Sequence, residues 1–178
     1  MHFLLIPGFA LHPLDYCNIV SKFDCTEHTI EVIDIWPYSI EEIKKIGYPG
    51  TESFNCWILE KSELITSKLN DEVIIVAHSA GAVVAREMKR RFIGIGCKYS
   101  KDIVLLIIGK NDKLANDNIE RDCKREISGG HFNCVTQKAM NHVLKLQKEL
   151  SGDESYPESY LDSSKEIVNI ILEFIKQK

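Results

Sequence analysis

The sequence contains no Cys-x-x-Cys pair, no cluster joining cysteine to histidine, no excess of basic charge and no apolar run near membrane length. Each absence excludes a class of function. Metal sites need ligands grouped at short loop or helix spacing, and the six scattered cysteines (Cys17, Cys25, Cys56, Cys97, Cys123, Cys134) offer no such grouping. Their even number would permit disulfides, but 178 residues can build a core without staples, so free thiols in a reducing compartment is the preferred reading. A net charge of −4 and a pI near 5.9 provide no field to recruit nucleic acid or an anionic membrane surface. A membrane span needs roughly 20 apolar residues in a row, and none is present. The opening Met-His-Phe-Leu-Leu-Ile-Pro-Gly lacks a basic leader, which makes a cytoplasmic protein the expectation. Internal repeats and low-complexity segments are absent too.

What the sequence does hold is core. Apolar residues make up 44% and charged residues 27%, enough for one globular domain spanning 1–178. Short apolar runs at Phe3–Ile6, Val73–Ala77 and Ile103–Ile108 read as strands buried on both faces. Thr29–Ile35 alternates and is β-branched, and Lys124–Ile127 is a short strand candidate. Helical spacing occupies the intervals: Leu14–Phe23, Tyr38–Tyr48, Phe54–Leu69, Ala82–Arg91, Val135–Leu150 and Asp162–Ile175. Strands alternating with helices predict an α/β protein, three-layer α/β/α, with a mainly parallel sheet of about five or six strands. The last helix, 162–175, is expected to pack on that sheet.

Ala77-His78-Ser79-Ala80-Gly81 follows the strongest strand and precedes a helix. A serine on so sharp a turn is pushed out at the carboxyl end of the sheet, and only small neighbours let the turn close. Ala77 and Gly81 supply them. The backbone N–H groups that open the helix then face whatever the serine attacks.

This arrangement resembles the nucleophile elbow of the α/β-hydrolase superfamily, Gly-x-Ser-x-Gly, with Ala77 in place of the first glycine. The resemblance extends in chain order from Phe3 to about Phe132. Asp112, in Ile-Ile-Gly-Lys-Asn-Asp, looks like the triad acid, and His131, in Gly-Gly-His-Phe, looks like the triad base. Asp117 and Asp122 compete with Asp112; His12, His78 and His142 compete with His131. The resemblance implies that Ser79 is the nucleophile, that His131 moves the proton and that Asp112 orients the imidazole. It also implies an oxyanion hole formed by the backbone N–H groups of Phe9 and Ala80, with Pro7 where the family usually has histidine. No metal or organic cofactor is required.

The implied activity is a serine hydrolase that cleaves a carboxylic ester or thioester through an acyl-enzyme, its partner a small acyl substrate. The interval from Ser79 to Asp112 is short for the family, so either Phe92–Cys97 is a degenerate strand or the sheet is trimmed, giving a minimal, lidless hydrolase. Two alternatives stand beside it. One is a thioesterase that docks an acyl-carrier protein on the basic run Lys89-Arg90-Arg91, a stretch that equally suits the solvated end of a helix. The other is a catalytically silent hydrolase fold that binds a partner. Trp36, Tyr38, Tyr48, Phe54 and Trp57 read equally as core or as an apolar wall for an acyl group.

Overall fold

The computed structural model describes residues 1–24, 26–110, 112, 122–128 and 163–177. Six strands form one sheet: β1 (His2–Ile6), β2 (Thr29–Val32), β3 (Ile74–His78), β4 (Phe92–Ile95), β5 (Ile103–Gly109) and β6 (Lys124–Ile127). All neighbours are parallel, in the order β2-β1-β3-β4-β5-β6. The helices are α1 (Cys17–Phe23), α2 (Ile40–Ile46), α3 (Glu52–Thr66), α4 (Gly81–Glu87) and α5 (Ser164–Lys176), with a 3-10 turn at Pro13–Tyr16. No described helix is long and apolar enough to cross a membrane.

The continuous apolar runs have a simple cause. Successive side chains along a strand point to opposite faces, and here both faces are covered. From β1, Leu4 and Ile6 join one core with Phe54, Ile58 and Ile65 of α3 and Val84 and Ala85 of α4. Phe3 and Leu5 join the other, with Ile19 and Phe23 of α1 and Ile167, Val168 and Ile171 of α5. Three layers, α/β/α, are the result.

Local signals explain the helix ends. Ser39 caps α2 through its hydroxyl and Thr51 caps α3 in the same way, each accepting a backbone N–H. Elsewhere the tertiary structure shortens what periodicity predicts. Leu14–Phe23 splits into the 3-10 turn and α1. The helix expected to reach Arg91 stops at Glu87, because the chain must reverse into β4 at Phe92. The strand expected to reach Ile35 ends at Val32; Ile35 and Trp36 turn inward and are buried in the core. Phe92–Ile95 is a full member of the sheet, paired with β3 and β5 and buried along its length. The chain between Ser79 and Asp112 is short for a different reason: β4 connects to β5 by residues 96–102 without a helix, although parallel crossovers usually carry one. The expected helix at Val135–Leu150 lies outside the described residues.

Candidate active site

Strand order locates the site. From β1 the chain moves to β2 at one edge, with α1 on one face; from β3 it moves the other way through β4 to β6, with α4 on the opposite face. The crevice at the carboxyl ends of β1 and β3 is therefore the topological switch point, where open parallel sheets bind ligands. Pro7–Ala10 leaves β1 at that point, and Ser79 leaves β3 beside it.

Both loops store strain there. Ser79 has φ 49° and Ala10 φ 58°, left-handed values that cost a residue with a side chain about 1–2 kcal/mol. Ser79 is pinned by its own N–H donating to Ile95 O (2.9 Å) and by its carbonyl accepting from Ala82 N–H (3.0 Å). Ala10 belongs to a turn closed by Leu11 N–H donating to Gly8 O at 3.1 Å. Among the described residues no acceptor takes the N–H of Phe9 or of Ala80.

Two glycines let these loops meet. A Cβ on Gly81 would lie 2.3 Å from the Ile6 carbonyl oxygen and 2.7 Å from that of Pro7, so α4 can approach the end of β1 only because position 81 is glycine. A Cβ on Gly8 would lie 2.8 Å from His78 Nδ1. Polar contacts complete the fit. Tyr16 and His78 are buried, with Tyr16 Oη 2.7 Å from His78 Nδ1 and accepting the Gly8 N–H at 2.8 Å. Trp36 Nε1 donates to Pro7 O at 3.3 Å. The Phe9 ring stands edge-on to Trp36 (5.2 Å between centroids) and to Phe54 (5.8 Å), so these aromatics buttress the loop from the core side.

The candidate acid lies at the same end of the sheet. Asp112 is buried, three residues past β5, and its N–H donates to Gly109 O at 3.1 Å. It sits near Cys97, in the loop after β4: burial first, then the Asp112 charge, pushes the Cys97 thiol up to about 12. Asp122, by contrast, is exposed just before β6 begins, at the amino end of the sheet away from Ser79. Asp117, His131 and His142 lie outside the described residues. β6 ends at Ile127, and its exit is held at Ser128, whose N–H donates to the Glu166 carboxylate of α5 at 3.0 Å.

Two competing histidines are otherwise engaged. His12 caps the 3-10 turn and lies against Tyr38 (4.8 Å between ring centroids), and His78 is held by Tyr16. The basic run Lys89–Arg91 sits beyond the far end of α4, at the amino end of the sheet, with Arg90 donating to Asn70 O at 3.0 Å. Cys17, Cys56 and Cys97 are free thiols. No three His, Cys, Asp or Glu among the described residues are placed to hold a metal.

Tyr16 escaped the sequence reading. Its partner His78 is 62 residues away, and nothing local marks a tyrosine in a short helical turn as part of a site. Compared with known proteins, the chain matches no family model and no curated protein.

Proposed function

We propose that this protein is a small serine hydrolase of the α/β-hydrolase type that cleaves carboxylic esters or thioesters through an acyl-enzyme. One observation carries the reading: a non-glycine residue, Ser79, holds a left-handed backbone at the strand-to-helix turn of the sheet's switch point. Sheet order alone would not suffice, since doubly wound sheets host many chemistries. A strained serine at this turn is harder to explain without chemistry, because glycine would occupy the same conformation without a Cβ penalty.

The mechanism follows from the parts. His131 takes the Ser79 hydroxyl proton as the oxygen attacks the acyl carbon. The carbonyl π electrons move to oxygen, where the N–H groups of Phe9 and Ala80 receive the negative charge. On collapse the bond to the leaving group breaks, and His131 returns the proton to that group. Water then repeats the sequence on the acyl-enzyme and frees the acid. Asp112 keeps the imidazole in the required tautomer and stabilises the imidazolium. The sheet's six strands and its short β4–β5 link suit a trimmed member of that type, and we take short or activated acyl groups as its substrates. Free thiols suit a reducing compartment such as the cytoplasm.

Docking of an acyl-carrier protein on Lys89–Arg91 gains no support, because that run and Ser79 lie at opposite ends of the sheet. A silent, partner-binding fold would leave the strain at Ser79 and Ala10 without a purpose.

A fluorophosphonate probe read by intact mass tests the proposal. We expect one adduct on the wild type and none on Ser79→Ala or His131→Ala. A folded wild type that takes no adduct would overturn the hydrolase reading.

A further inference from the structure

We infer that Tyr16 is a positioning residue for the reaction of Ser79, acting through a buried Gly8–Tyr16–His78 bridge that sets the oxyanion loop against the elbow; the inference rests on the hydrolase reading above. The bridge is short and enclosed. Tyr16 has no exposed surface, and His78 is 2% exposed. The phenol oxygen is 2.8 Å from the Gly8 nitrogen and 2.7 Å from His78 Nδ1. Gly8 is one residue before Phe9, and His78 is one residue before Ser79. A single hydroxyl thus joins the residues that immediately precede the candidate oxyanion donor and the candidate nucleophile.

The phenol oxygen accepts from Gly8 N–H and lies within hydrogen-bond distance of His78 Nδ1, so one oxygen touches both loops. Spending the Gly8 N–H on Tyr16 also fixes the orientation of the peptide that precedes Phe9. Successive peptides share a Cα, so the Phe9 N–H direction depends on that orientation. The bond from Trp36 Nε1 to Pro7 O holds the same loop one residue earlier, and the Leu11–Gly8 hydrogen bond closes its turn. Neither contact reaches the elbow by a side-chain hydrogen bond; Tyr16 does. The absent Cβ at Gly8 is what allows the imidazole to come so close.

A misplacement near 1 Å at a reacting centre costs up to about 100-fold in rate, which sets the scale. Tyr16→Phe keeps the ring and removes the hydroxyl. We expect it to lower kcat for p-nitrophenyl butyrate, and the rate of fluorophosphonate labelling, by about 10- to 100-fold, with KM changed less than about twofold and full labelling still reached at long times. His78→Leu should lose a similar factor. His78→Asn, whose Oδ1 takes the place of Nδ1, should recover most of it. In the double variant Tyr16→Phe/His78→Leu the loss should not exceed that of either single change, since both break one bridge. All rates are taken per titrated site. If Tyr16→Phe fails to fold, the His78→Leu and His78→Asn pair carries the test with the tyrosine intact.

Wild-type kcat per titrated site in Tyr16→Phe and His78→Leu would overturn the bridge and leave the hydrolase reading standing. So would a rise in KM alone, or a loss in His78→Asn equal to that in His78→Leu. A folded wild type that takes no adduct would instead overturn the hydrolase reading, and the role of Tyr16 with it.

Discussion

Ser79 and Lys89 occupy opposite ends of α4 and share one backbone conformation, φ 49° and φ 56°, that neither side chain favours. Their surroundings differ. Lys89 is exposed, its N–H donates to Arg86 O at 3.0 Å, and it ends the helix as left-handed residues often do. Ser79 is half-buried where two strands and a helix meet, with Gly81 fitted against the carbonyls of Ile6 and Pro7 and His78 held by Tyr16. The strain at Lys89 is local and removable. At Ser79 it is over-determined by residues from four separate segments, and such strain is the kind that accompanies chemistry.

The largest effect that separates the two ends is on turnover. Ser79→Ala should lower ester hydrolysis by on the order of 10⁶-fold. Lys89→Ala should change it less than about twofold, because a surface position away from the site has little to lose. Comparable losses from both, in a p-nitrophenyl butyrate assay, would break the distinction. Next in size is packing at the enclosed end. Gly81→Ala drives a Cβ to within 2.3 Å of backbone oxygen, and urea denaturation should register a loss of about 3 kcal/mol. Unchanged stability would mean that α4 and β1 are not locked together.

A thiol sharpens the same contrast of enclosed against open. The Cys97 thiol is pushed from 9.0 up to about 12, by burial and then by the Asp112 charge. The folded state therefore holds this proton more tightly than the unfolded chain. Its contribution is complete below pH 9, declines as pH rises past 9 and is lost near 12, the loss reaching about 1 kcal/mol by pH 10. Cys97→Ala should flatten that part of the stability–pH curve, and identical curves would refute the assignment. In the native protein the exposed Cys17 and Cys56 should react with a thiol reagent at pH 8 well before Cys97. The smallest effect belongs to the open end: Lys89→Gly should stabilise by about 1 kcal/mol in thermal unfolding, with the turnover of the wild type. A loss of stability would mean that the Lys89 side chain does more than cap.

Much of this was legible in advance, and the exceptions have physical causes. The apolar strands were readable because both faces of the sheet are buried, which leaves no polar alternation to confuse the pattern. The sharp turn at Ser79 was readable because a strand-to-helix turn of this kind depends on small residues within two positions of it, a purely local requirement. Phe92–Ile95 was ambiguous: a four-residue strand containing glycine has little propensity of its own, and pairing on both sides makes it a strand. The end of α4 was misread because Lys89-Arg90-Arg91 suits a helix, while the need to enter β4 ends it sooner.

By itself the sequence determined the parallel α/β architecture, the turn that carries Ser79 and the small side chains that allow it. These depend on periodicity and on neighbours a few residues apart. Tertiary structure alone decided that Pro7–Ala10 and Ser79 face one crevice, that Asp122 lies at the wrong end of the sheet, and that Tyr16 reaches His78 across 62 residues of chain. Strand order and close backbone approach produce those relations, and neither leaves a mark in the local pattern of residues.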